Sequence, residues 1–73
     1  MSHTVNWIDR VTGETKTHVV DGVPDTERHA MIFACTVIKS PTRPLDVWVA
    51  DKIGWRVADR KKISDFANAN GYL

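Results

Sequence analysis

The sequence predicts a small single α+β domain in the order ββαββα, with both helices on one face of an antiparallel sheet. Three observations lead there. The apolar run Ala30-Met31-Ile32-Phe33-Ala34-Cys35, continued by Val37 and Ile38, is the most hydrophobic stretch of the chain and must supply much of its core. Segments rich in β-forming residues come in two pairs, each joined by a turn that holds an aspartate and then a glycine. A second helical pattern closes the chain between Asp59 and Gly71.

Taken in order, Thr4 to Asp9 and Thr15 to Val20 read as strands, with Asp9-Arg10-Val11-Thr12-Gly13-Glu14 as the hairpin between them. Asp21-Gly22-Val23-Pro24 breaks the second strand. Asp25 then caps a helix over residues 25 to 39, and Glu27 sits near the positive end of its dipole. On that helix Ala30, Phe33, Ala34, Val37 and Ile38 form one broad stripe, flanked by Met31 and Cys35. Lys39 suits the negative end, and Ser40-Pro41 stops the helix because proline cannot donate a backbone hydrogen bond. A stiff connector with two prolines, Pro41 and Pro44, leads to Leu45-Asp46-Val47-Trp48-Val49-Ala50, which alternates at period two and reads as a third strand. Asp51-Lys52-Ile53-Gly54 forms the second turn, and Trp55 to Ala58 the fourth strand. The closing helix, capped by Asp59 and ended by Gly71, places Ile63, Phe66, Ala67 and Asn70 on one side.

A second organisation competes for the carboxy-terminal half. Ala50 precedes Gly54 by four residues, the spacing of a helix-turn-helix, and Trp55 to Asn70 would then be a recognition helix bearing Arg56, Arg60, Lys61 and Lys62. The β-branched residues around Trp48 oppose it, since Val47-Trp48-Val49 favours a strand.

Composition bounds the function. Residues 1 to 73 make one domain, near the lower size at which an apolar core suffices without disulfides or metal. The lone Cys35 cannot form an internal disulfide and reads as a small buried hydrophobe. No signal-peptide pattern and no run of about eighteen apolar residues is present, so a reducing cytoplasm is the expected location. Formal net charge is +1, so nucleic-acid contact would require a local patch. His3, His18 and His29 lie in different segments and, with one cysteine, form no spaced metal set. No glycine-rich phosphate loop, serine elbow or cysteine–histidine pair is present, and a ligand pocket of about 300 Å³ or more is hard to hollow from so small a core. The expectation is a non-enzyme without cofactor, metal or small-molecule substrate.

Strand alternation then locates a candidate surface. If both helices cover one face, Val5, Trp7, Leu45, Val47, Val49, Trp55 and Val57 point to them. The opposite face carries Asn6, Ile8, His18, Val20, Asp46, Trp48 and Arg56, and nothing remains to cover it. Trp48, Ile8, Val20 and Arg56 are therefore the expected partner-binding residues, because apolar groups around an exposed tryptophan suit a protein interface. Arg60, Lys61 and Lys62, extended by Arg43, form a basic cluster for phosphate or an acidic protein surface. The free edges of a four-stranded sheet offer another mode, in which a partner peptide adds a strand.

From Met1-Ser2-His3-Thr4-Val5-Asn6-Trp7-Ile8-Asp9-Arg10 at its start to Ile63-Ser64-Asp65-Phe66-Ala67-Asn68-Ala69-Asn70-Gly71-Tyr72-Leu73 at its end, the chain resembles the small RNA-polymerase-binding proteins of lytic phages that infect plant-pathogenic bacteria. The resemblance implies a phage regulator that binds the amino-terminal region of the β′ subunit of host RNA polymerase. It would inhibit sigma-dependent initiation and promote antitermination. It assigns no contact residue. A nucleic-acid-binding regulator and an inhibitor of another bacterial enzyme remain the alternatives.

Overall fold

Alternation in the strand segments becomes one antiparallel sheet of four strands. The computed structural model describes residues 2–72. Its elements are β1 (His3–Ile8), β2 (Thr15–Val20), α1 (Thr26–Ile38), β3 (Asp46–Asp51), β4 (Arg56–Ala58) and α2 (Arg60–Asn70). Strand order is β2-β1-β3-β4, so the two hairpins join through β1 and β3, and β2 and β4 form the edges. Residues 46–51 and 56–58 are strands, which rules out the helix-turn-helix organisation.

Both turns work through an aspartate. The Asp9 carboxylate accepts hydrogen bonds from the amides of Val11 and Thr12 at 2.8 and 3.1 Å, and Gly13 takes a positive φ of 74°. Those amide bonds hold the Asp9 carboxyl below its ordinary pKa, with Lys16 adding to the effect. The turn's support is therefore complete above the ordinary carboxylate range and is lost as pH falls through the lowered value. Asp51 repeats the device, accepting from Ile53 at 3.1 Å and Trp55 at 2.8 Å.

The helices stop and start where capping chemistry places them. Asp25 accepts from the amide of Arg28 at 3.0 Å, and Asp59 from that of Lys62 at 2.9 Å. Gly71 closes α2 in the left-handed region at φ 72°. A buried pair ties the layers together: His3 Nδ1 lies 2.7 Å from Thr26 Oγ1, joining β1 to the first turn of α1.

The core lies between the helices and one face of the sheet. Val5, Val47, Val49, Ala30, Ala34, Ile63 and Ala67 are wholly enclosed there. The buried stripe of α1 is displaced from its expected centre. Met31 and Cys35 are buried, whereas Phe33 and Ile38 are half-buried at the margin. The cause is α2, which covers the Cys35 side and brings the Ile63 carbonyl to 4.0 Å from Sγ. Burial pushes the Cys35 thiol up in pKa, so it stays protonated and inert.

Phe33 instead bridges the sheet's outer edge, with its ring stacked on His18 at 4.0 Å and tilted against Trp7 at 6.1 Å. Phe33→Ala is therefore expected to cost about 2 kcal/mol in thermal denaturation, less than the about 3–5 kcal/mol of a fully enclosed phenylalanine. A loss above that lower figure by about 2 kcal/mol would contradict the marginal position.

Candidate partner-binding surface

The pleat decides which residues meet a partner. Val47 and Val49 are fully buried against the helices, so Trp48 between them must point to the uncovered face. Asn6 lies directly opposite it on β1. The Asn6 amide oxygen accepts from Thr17 Oγ1 at 2.8 Å and its nitrogen donates to Thr4 Oγ1 at 3.0 Å, forming a polar rail beside the indole.

Arg56 pairs with Ala50, two residues further along β3 from Trp48, and reaches back diagonally over the indole. Its guanidinium lies 4.5 Å from the ring centroid. A cation held on an aromatic face is worth about 0.5–1 kcal/mol at an exposed site, enough to preorganise the pair. Ile8, at the end of β1 opposite Thr15 and Asp46, is half-buried on the same face. Trp48, Arg56 and Ile8 are thus brought onto one surface as expected.

Val20 is not. The register pairs His3 with Val20 and Val5 with His18, so both β2 residues share the helix-covered side. Val20 is buried in the core and His18 lies against Phe33. The valine of β2 on the open face is Val19, opposite Thr4 and 60% exposed.

Two other expected core residues are displaced. Leu45 precedes β3 and is 52% exposed, with its amide donating to the Ile8 carbonyl at 2.9 Å. Trp55 closes the second hairpin, its carbonyl accepting from the Asp51 amide at 2.9 Å, and is 71% exposed. Beyond it β4 advances two residues, Arg56 to Ala58, while β3 advances one, Ala50 to Val49. This bulge at Val57 turns Ala58 towards the helices while Arg56 stays on the open face. Trp55 is exposed because it belongs to the turn, its amide held by the Asp51 carboxylate, and not to the strand. Ile53, also exposed, leaves the tip of this hairpin apolar.

The basic cluster divides. Lys61 Nζ pairs with Asp65 at 3.0 Å, and Lys62 Nζ donates to the Val57 carbonyl at 3.1 Å. Arg60 turns the other way and donates to the Pro44 carbonyl at 3.0 Å. There it meets Arg43 and Lys39 around a groove of about 410 Å³ whose remaining lining residue is Ile38. Arg43 is held in the left-handed region at φ 43°, where a side chain costs about 1–3 kcal/mol. Its carbonyl accepts from Arg10 Nε at 2.7 Å. Lys39 and Arg10 escape a sequence reading because they lie in other segments; only the connector's path gathers them.

A larger surface groove, about 550 Å³, separates the β3–β4 hairpin from the start of α1 and is lined in part by His3, Pro24, Glu27, Asp51 and Ile53. Among the described residues no group of three or more His, Cys, Asp or Glu stands close enough to hold a metal ion. No helix among them is long and apolar enough to cross a membrane. Comparison with family models, curated proteins and solved structures finds no match to this chain.

Proposed function

We propose that this chain is a non-enzymatic phage regulator that binds host bacterial RNA polymerase at the amino-terminal region of its β′ subunit, in the cytoplasm of the infected cell. The observation that supports a binding role is the uncovered sheet face centred on Trp48, with Arg56 stacked 4.5 Å above the indole, Ile8 diagonal to it on β1 and Val19 further along the same face on β2. An aromatic and a guanidinium are the two side-chain types that most often anchor a protein interface, and here each positions the other. The identity of the partner rests on the sequence resemblance, which also implies inhibition of sigma-dependent initiation and antitermination.

The experiment is affinity capture from bacterial lysate with the full chain, followed by in-vitro transcription. Co-purified polymerase, and loss of transcripts from a sigma-dependent promoter while terminator read-through rises, are the expected results. Capture of nucleic acid alone, or of a different enzyme with polymerase absent, would refute the assignment.

A further inference from the structure

Three cations from α1, the connector and α2 gather away from the open sheet face. Lys39 at the end of α1, Arg43 in the connector and Arg60 at the start of α2 surround one groove, and among the described residues no carboxylate lines it. Elsewhere most cations have a local partner: Lys16 faces Asp9, Lys61 faces Asp65, Arg56 covers Trp48 and Arg28 lies over Phe66. Among the described residues neither Lys39 nor Arg43 forms an ion pair. Three like charges around one groove repel each other, and an anion entering it would relieve that repulsion.

The backbone supports this arrangement. Arg43 occupies a left-handed conformation that favours glycine, yet carries a long cationic side chain directly before Pro44. Arg10 clasps the Arg43 carbonyl and Arg60 clasps that of Pro44, so both ends of the strained dipeptide are fixed by guanidinium groups. The connector is thereby held with the Arg43 side chain beside Lys39 and Arg60.

We propose that the Lys39–Arg43–Arg60 groove is a contact site for the backbone phosphates of a nucleic acid, separate from the Trp48 surface and independent of which protein that surface engages. Arginine forks match phosphate oxygens, and lysine supplies a point charge beside them. Ile38 is the groove's one apolar side chain, so there is little to anchor an acidic peptide, whereas a phosphodiester needs only donors and charge. With three cations the site engages about two or three phosphates, each contributing about −0.9 to the slope of log affinity against log salt on duplex DNA and about −0.7 on single strands.

The test is an NMR titration of the full chain, at low salt, with a duplex DNA, a single-stranded DNA and an RNA of equal length, and with poly-glutamate as the acidic-peptide control. Amide shifts are expected at Ile38, Lys39, Ser40, Thr42, Arg43 and Arg60 with at least one nucleic acid, and which of the three binds identifies the source of the phosphate. The salt slope is expected at about −1.8 to −2.7 on duplex and about −1.4 to −2.1 on a single strand, becoming shallower by about 0.7–0.9 in Lys39→Gln and in Arg43→Gly. Arg43→Gly is the decisive variant, because glycine relieves the left-handed backbone: its melting temperature should be unchanged or higher while binding falls. Shifts confined to the Trp48 face, equal binding of poly-glutamate, no binding, or wild-type slopes in both variants would each overturn the proposal.

Discussion

Ile63→Ala is expected to lower the unfolding free energy by about 3–4 kcal/mol, the range for emptying a fully enclosed aliphatic site that cannot collapse. Ile63 is the largest of the completely buried side chains and sits where α2 meets α1 beneath Cys35. At about 0.05–0.15 kcal/mol per residue, a domain of 73 residues has about 4–11 kcal/mol in total, so this one change removes much of its stability. The melting temperature should fall by about 12–30 °C, given about 4–8 °C per kcal/mol for a domain of this size. Calorimetric or circular-dichroism melts check it. A fall of only a few degrees would mean that α2 does not complete the core.

Trp48→Ala is expected to weaken partner binding at least about 30-fold, equivalent to about 2 kcal/mol, while the fold survives. The two halves of that expectation have separate causes. Trp48 lies outside the buried core cluster, on the face no helix covers, so its removal opens no internal cavity. Removal also leaves the Arg56 guanidinium without the ring that holds it in place, so both anchors are lost at once. Titration of the variant against the β′ amino-terminal fragment, with a parallel melt, separates the outcomes. Normal affinity would exclude the open face as the interface, and an unfolded variant would show that the indole is structural. With one cation, Arg56, on this face against three around the groove, its affinity should fall less steeply with salt than that of the phosphate groove.

How far these surfaces were legible differs from strand to strand. In β3 the pattern Val47-Trp48-Val49 has valine on one side and tryptophan on the other, so hydrophobicity alone sets the faces. In β2 each face receives one valine, Val19 or Val20, and local pattern is indifferent between them. Only pairing with β1 decides, and it buries Val20 while exposing Val19. Trp55 misleads for a related reason. Its size argues for the core, yet its hydrogen bonds to Asp51 hold it in the turn, ahead of the strand.

The basic residues follow the same logic. Arg60, Lys61 and Lys62 are consecutive, and a helix turns consecutive residues about 100° apart, so they face different neighbours. Contiguity in sequence therefore disperses the charge, and the groove is assembled from residues 17 to 21 positions apart in its widest pairs, Arg43 with Arg60 and Lys39 with Arg60.

By itself the sequence determined the element order, the caps at Asp25 and Asp59, the stop at Gly71 and the outward aim of Trp48, since each depends on contacts within one turn or one strand. Tertiary structure alone decided the face of β2, the shift of the α1 stripe towards α2 and the meeting of Lys39, Arg43 and Arg60. Local hydrogen bonding and alternation act over a few residues, whereas strand register, the bulge and helix packing are set by pairing between segments far apart in the chain.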